Sequence, residues 1–206
     1  DGYVGGQAVV EYFRGLLLTL KGTSSEAMSV SVKWDGAPAV VCGTNPDNGQ
    51  FFVGTKAVFA KAAKINYTKK DIAKNHGTDE LGQKLLKCLV HLKKLNIQGV
   101  VQGDLLFIDD SITRKNIDGK PHLTFTPNTI TYAVPEDGEL AKQIDRAKLG
   151  IIFHTTYAGD SLATMNAQGG ADVSSFAQSP DVFFDNASYK DVSGSAKFTA
   201  DESQQF

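Results

Sequence analysis

The sequence predicts an α+β fold, with mainly antiparallel sheets and flanking helices. Strand-like stretches are dispersed among three helical stretches, without the regular strand–helix alternation that produces a parallel sheet. A dense turn signal at residues 45–49 lies between two strand-like stretches and favours a tight reversal of the chain. The 206 residues, 41% of them apolar, are enough for one large domain or two small ones.

The first elements follow from the spacing of apolar residues. Apolar residues recur every three or four positions between residues 7 and 21, which predicts a helix that ends at Gly22. Residues 28–34 alternate with period two and predict a strand, on which Lys33 and Asp35 share one face. Residues 39–42 are a second apolar run that could pair back as a hairpin, and residues 50–54 predict a further strand.

The middle of the chain predicts a second helix and several strands. Leucines and Cys88 form an apolar stripe between residues 81 and 95, and the other faces of this helix carry five basic side chains. That basic face could touch a phosphate backbone, although a solvated helix surface also explains it. The remaining predicted strands cover residues 100–107, 123–125, 129–134 and 151–154.

A third helix is predicted after Pro135, with Leu140, Ile144 and Ala147 facing inward. After Tyr157 the chain becomes richer in Ser, Ala, Asp and Gly, with one last apolar run at residues 182–184. We therefore expect a domain over residues 1–157 and a looser C-terminal segment over residues 158–206, which could complete the same domain.

Composition excludes several classes of protein. Lys and Arg number 21 against 23 Asp and Glu, so the net charge of −2 attracts neither nucleic acid nor an anionic membrane, and any polyanion site must be a local patch. Two cysteines, Cys42 and Cys88, are too few for a disulfide framework or a zinc site and favour a reducing compartment. The chain begins at Asp1, which indicates a processed product, and we expect neither a membrane span nor a signal peptide.

The segment Lys33-Trp34-Asp35-Gly36 carries the clearest chemical signal. It offers an amine nucleophile, a carboxylate two residues later and a glycine that lets the backbone turn or approach a ligand closely. In the alternative interpretation, Lys33 is a solvated lysine at the end of a strand and Asp35-Gly36 is an ordinary turn.

This segment resembles the first motif of the nucleotidyltransferase domain shared by ATP-dependent DNA ligases, RNA ligases and mRNA capping enzymes. In that family the lysine attacks the α-phosphate of ATP and becomes a lysyl-adenylate. The resemblance covers about residues 28–155. Residues 32–43 and 125–135 also look like an uncharacterised family of tailed-bacteriophage proteins.

The resemblance implies roles for individual residues. Lys33 would be the nucleophile, and Asp35 would orient it or a metal-bound water. The implied nucleotide-binding residues are Gly36, Lys56, Asp104, Tyr132 and His154. Among them, Lys56 would neutralise a phosphate, Asp104 would hold the ribose hydroxyl and Tyr132 would offer its ring to the purine.

The chain also departs from the family pattern at the metal end. ATP and Mg²⁺ are the implied cofactors, but Leu149 stands where a metal-binding Glu is expected, and a leucine cannot coordinate a cation. The metal ligands therefore stay unknown. His154 replaces a lysine, and no Lys-x-Lys pair follows Tyr157.

Two functions follow. The first is an ATP-dependent polynucleotide ligase that acts on nucleic acid with a 5′-phosphate. The second is a catalytically degenerate member of that fold, which serves as a structural or binding component of a phage particle and has other virion proteins as partners. Either function implies the host cytoplasm or the virion as location, with no membrane partner.

Overall fold

The computed structural model describes residues 2–21, 31–188 and 198–205, and these fall into two compact units. The terminal unit consists of Asp1–Val32 with Ser188–Phe206, and the sheet unit consists of Lys33–Ala187. The predicted boundary at residue 157 falls inside the sheet unit, because residues 158–187 contribute strands to its main sheet.

The terminal unit contains two helices, α1 (Gly2–Leu20) and α5 (Ala200–Gln205). Helix α1 begins five residues before its predicted start, and none of its residues is buried. The backbone amide of Phe198, just before α5, donates a hydrogen bond to the carbonyl of Leu20 at 2.9 Å. Within the described residues, no helix is long and apolar enough to span a bilayer.

The strands of the sheet unit form a large sheet and a small one. Their bounds are β1 Ala39–Thr44, β2 Phe51–Gly54, β3 Val100–Ile108, β4 Thr113–Ile117, β5 Lys120–Phe125, β6 Tyr132–Pro135, β7 Leu149–Ala158, β8 Asn166–Gly169 and β9 Val182–Asn186. The large sheet has the order β2-β1-β3-β7-β8 with β9 also on β7, and the small sheet has the order β4-β5-β6. Apart from the parallel pair β7–β9, the pairs are antiparallel, which confirms the predicted α+β class.

Three helices accompany these strands. They are α2 (Lys69–His76), α3 (Glu80–Leu92) and α4 (Glu139–Arg146). The predicted apolar stripe of α3 is confirmed, and the C-terminal end of the helix continues as a 3₁₀ turn through Leu95. In α4 the predicted inward position of Leu140 is wrong: its side chain is 47% exposed, whereas Ala141 and Ile144 are buried.

The strand predicted over residues 28–34 is also wrong where the structure describes it. Residues 28–30 lie outside the described residues, Ser31 forms only an isolated bridge with Ser188, and residues 32–36 have no regular secondary structure. Strand β1 pairs with β2 and β3 instead of forming the predicted hairpin with residues 28–34. From Lys33 onward, hydrogen bonds between Asp35 and the region of residues 128–132, rather than local alternation, determine the course of this segment.

The two faces of the large sheet pack differently. Val101 and Leu105 of β3 pack with α3, whereas Val100 and Leu106 belong to two separate apolar clusters. We call these the Tyr157 cluster (Val41, Phe52, Val58, Val100 and Leu162 with Phe59 and Tyr157) and the Tyr132 cluster (Leu106, Phe107, Leu123, Phe125 and Ile152 with Trp34 and Tyr132). Because successive side chains of a strand point to opposite faces, Gln102 and Asp104 lie between these two clusters.

Candidate functional site

The Lys33–Gly36 segment leads directly onto strand β3. The amide of Ala37 donates a hydrogen bond to the carbonyl of Leu105 at 3.0 Å, and the amide of Leu105 donates to the carbonyl of Pro38 at 3.1 Å. The chain then enters β1, where Ala39 lies opposite Asp104. The segment is therefore held against the strand that carries Asp104.

Gly36 is required by this close approach. A Cβ atom at residue 36 would lie 2.5 Å from the Cβ of Asp104 and 2.9 Å from the carbonyl oxygen of Leu105. Both distances are shorter than ordinary van der Waals contact, so any larger side chain would push the segment away from β3. The structure thus joins two predicted site residues, Gly36 and Asp104.

The carboxylate of Asp35 holds a loop of the small-sheet region. It accepts hydrogen bonds from the side-chain amide of Asn128 at 2.8 Å and from the backbone amides of Thr129 at 2.7 Å and Ile130 at 2.8 Å. These donors, led by Asn128, lower the pKa of Asp35, and the charge of Lys33 contributes further. The carboxylate predicted to act on a lysine or a metal-bound water is therefore bound to the loop at residues 128–130.

Tyr132 is held by the same segment. Its hydroxyl oxygen accepts a hydrogen bond from the backbone amide of Asp35 at 2.9 Å. Its half-buried ring packs against Trp34 and Phe125, with centroid separations of 5.3 and 5.5 Å. Tyr132 is thus part of an aromatic stack that fastens Trp34-Asp35 to the small sheet.

A polar strip crosses the sheet between the two apolar clusters. Asp104 lies 3.5 Å from the Nε2 atom of His154, and their side chains are 19% and 29% exposed. The Nδ1 atom of His154 lies 2.8 Å from the hydroxyl of Thr155, and the hydroxyl of Tyr157 donates to Gln102 at 2.7 Å. We define the polar strip as Gln102, Asp104, His154 and the Tyr157 hydroxyl.

The two predicted lysines are exposed. Neither Lys33 nor Lys56 forms a hydrogen bond or ion pair with another described residue through its amine. Lys56 lies on the 3₁₀ turn Lys56–Phe59, whose Phe59 ring packs on Tyr157 at a centroid distance of 4.4 Å. This packing holds the turn next to one end of the polar strip and leaves the Lys56 side chain in solvent.

Five of the seven predicted site residues form two connected groups, and the amines of Lys33 and Lys56 contact neither group. Asp35 contacts Tyr132, and Gly36 contacts Asp104, which pairs with His154. Sequence reasoning did not select Gln102, although a polar residue inside the apolar run of residues 100–107 is a signal that could have found it. Asn128 had no comparable signal, because a loop asparagine is an ordinary turn residue.

These residues do not fit the magnesium site of the ligase family. Leu149, at the position expected for a metal-binding Glu, is fully buried in the core on the α3 face of the sheet. Asp35 already accepts three hydrogen bonds, and the described residues contain no group of three or more His, Cys, Asp or Glu side chains that could hold a metal ion.

Comparison with known proteins gives one family and no characterised relative. No curated protein and no solved structure matches the chain. The whole of residues 1–206 matches the model of a family of unknown function, DUF6267, and the chain therefore belongs to this family.

Proposed function

We propose that this chain is a ligase-type nucleotidyltransferase in which Lys33 is the residue that receives AMP. The observation that supports the proposal is the packing of Gly36 on Asp104, which is so close that a Cβ atom at residue 36 would lie 2.5 Å from the Cβ of Asp104. This packing brings the backbone of the lysine-bearing segment to the strand whose acidic residue, by the resemblance, holds the ribose. A nucleotide bound on the polar strip would then have its phosphates on the side of Lys33.

The proposed reaction forms one bond and breaks one. The uncharged Nζ of Lys33 attacks the α-phosphorus of ATP, the bond from that phosphorus to the bridging oxygen breaks, and pyrophosphate leaves as a proton passes from the amine to water. Asp104 accepts a hydrogen bond from a ribose hydroxyl, and Lys56 supplies positive charge for the phosphates. No step requires the carboxylate of Asp35, which holds the loop at residues 128–130.

The first test is covalent labelling. The protein is incubated with ATP labelled at the α-phosphate, denatured, and examined for retained label and for the mass of one added AMP. We expect label on the wild type and none on Lys33→Ala, whereas Lys115→Ala, which removes an exposed lysine of β4, keeps full labelling. ATP labelled at the γ-phosphate should leave no label, because that phosphate departs with pyrophosphate.

A second candidate function has its own support. The engagement of Asp35 by three donors and the burial of Leu149 both favour a member of this fold that has lost transfer chemistry and serves as a binding or structural component of a phage particle. Such a protein would take no covalent label at any ATP concentration and would be present in many copies in purified particles. Label that depends on Lys33 would exclude this second function.

A further inference from the structure

A positively charged surface lies next to the candidate site. Six lysines occur within residues 56–76, and the only acidic residue in that range is Asp71. We call these six the lysine surface: Lys56, Lys61, Lys64, Lys69, Lys70 and Lys74. The surface is strongly positive although the whole chain carries a net charge of −2.

The amines of this surface are free to meet a ligand. All six side chains are exposed, and within residues 31–188 none of them has an acidic partner within ion-pair distance. Lys64 alone has a polar partner, the backbone carbonyl of Asn75 at 3.2 Å. The single acid, Asp71, accepts hydrogen bonds from Tyr67 and Thr68 as part of the cap of α2.

On α3 and the 3₁₀ turn that follows it, in contrast, acidic side chains pair with every lysine except Lys93. Lys84 pairs with Glu80 at 2.7 Å, and Lys87 pairs with Asp109 and with Asp110. Lys94 pairs with Asp181, which also lies 3.5 Å from His91. A surface whose charges are already compensated in this way attracts a polyanion weakly, so the sequence signal on α3 does not identify a binding surface.

Hydrogen bonds of Lys64 join the two parts of the lysine surface, which are the turn that carries Lys56 and helix α2. The amide of Lys64 donates to the carbonyl of Ala57, next to Lys56, at 3.0 Å. The amine of Lys64 donates to the carbonyl of Asn75, next to Lys74. On α2 itself, Lys70 and Lys74 are four residues apart and share one face, whereas Ile72 is buried on another. The positive charges therefore continue from the turn that carries Lys56 to the exposed face of α2.

We propose that the lysine surface binds the phosphate backbone of nucleic acid. Exposed amines that lack acidic partners can neutralise phosphates, and this releases the cations that are condensed on a nucleic acid because of its high charge density. A membrane is the less suitable partner, because residues 56–76 expose no large apolar side chain that could enter a bilayer. Since Lys56 lies on the turn whose Phe59 packs on Tyr157, a bound strand would approach the polar strip. The inference does not require that Lys33 be adenylated.

The proposal is tested by the salt dependence of binding. The full chain is titrated against a fluorescent thymidine oligonucleotide of about 30 nucleotides, with anisotropy measured between about 50 and 200 mM KCl. The test variant is Lys69→Gln/Lys70→Gln/Lys74→Gln. The matched control is Lys93→Gln/Lys115→Gln/Lys120→Gln, which removes the same charge from exposed lysines elsewhere in the sheet unit.

If all six amines contact phosphates, affinity of the wild type should fall about 300-fold over this range of salt. The affinity of the triple variant of α2 should fall only about 20-fold, because this variant has lost three of the contacts. At low salt, its affinity should be the weakest of the three proteins. The control should keep the wild-type slope. Circular dichroism and thermal melting confirm that each variant is folded.

Three results would overturn the proposal. They are an unchanged slope in the α2 variant, an equal loss in the control, and binding to anionic phosphatidylserine vesicles without binding to the oligonucleotide. Labelling by ATP is measured on the same proteins, and the α2 variant should label as the wild type does. If the wild type, the α2 variant and the control all take no label from ATP but the wild type still binds the oligonucleotide, the nucleotidyltransferase proposal is wrong. The proposal on the lysine surface is then unaffected.

Discussion

The substitution Gly36→Ala tests the packing on which the candidate site depends. The new Cβ would lie 2.5 Å from the Cβ of Asp104 and 2.9 Å from the carbonyl oxygen of Leu105, whereas ordinary contacts lie at 3.4–4 Å. Either the Lys33–Gly36 segment or β3 must therefore move by about 1 Å, next to the hydrogen bond between Ala37 and Leu105. Movement of Lys33-Trp34-Asp35 away from β3 is the expected outcome.

The cost follows from this geometry. Overpacking of a well-packed contact destabilises by about 1–3 kcal/mol, and for a chain of this size each kcal/mol lowers Tm by about 2–4 °C. We expect Tm of Gly36→Ala to fall by about 2–12 °C, and covalent labelling of Lys33 to fall with it. Thermal melting followed by circular dichroism gives the first value, and the α-labelled ATP assay gives the second.

The matched control is Gly169→Ala on β8. A Cβ at residue 169 would meet no atom within 4 Å, so this variant experiences only the general effect of replacing glycine. If Gly36→Ala melts within about 1 °C of Gly169→Ala, the segment does not press on Asp104 and the geometric support for the proposed function is lost.

Three further predictions concern the core, the carboxylate and the thiols. In α4, Ile144→Ala should lower the free energy of unfolding by about 2–5 kcal/mol, whereas Leu140→Ala should lower it by less than about 1 kcal/mol. Urea denaturation measures both values, and equal losses would contradict the observed orientation of the helix. Because hydrogen bonds keep the pKa of Asp35 below its ordinary value of 3.8 in the folded state, its contribution to stability is present above that pH and is lost as the pH falls through the folded pKa. Asp35→Asn should thus be less stable than wild type at pH 7, and the difference in urea midpoint should shrink below pH 3.8, while a constant difference would argue against the ionised carboxylate as the cause. Burial raises the pKa of Cys88 to about 12 and that of Cys42 well above its usual range. A thiol reagent at pH 8 should therefore modify neither cysteine until the protein is unfolded. Rapid reaction of the native chain would show that the core opens.

Local patterns predicted the main elements of the sheet unit. The stripe of apolar residues in α3 and the apolar run of β3 were sufficient, because each element buries a face against the same core and its periodicity reflects that burial. Helix α2 was not predicted. Its only buried apolar residue is Ile72, so it has no stripe, and the capping box of Thr68 and Asp71 is the signal that marks its start.

Local patterns failed where distant residues determine the conformation. The alternation of residues 28–34 suggested a strand, but the segment from Lys33 onward is positioned by Tyr132 and by loop residues more than 90 positions away in sequence. Local patterns also could not show which groups bind the carboxylate of Asp35. Its three hydrogen-bond donors become neighbours only after the small sheet has packed on the large one.

The sequence by itself determined the fold class, the inward faces of the main helix and strands, and the chemical character of the Lys33–Gly36 segment. These depend on the order of apolar and polar side chains, which is local information. Only the tertiary structure decided that Gly36 meets Asp104, that Asp104 pairs with His154, and that the lysines of α2 stay unpaired while most of those on α3 are compensated by acids. The reason is physical: the charge and the hydrogen-bonding capacity that a side chain presents to a ligand depend on which distant groups have already satisfied it.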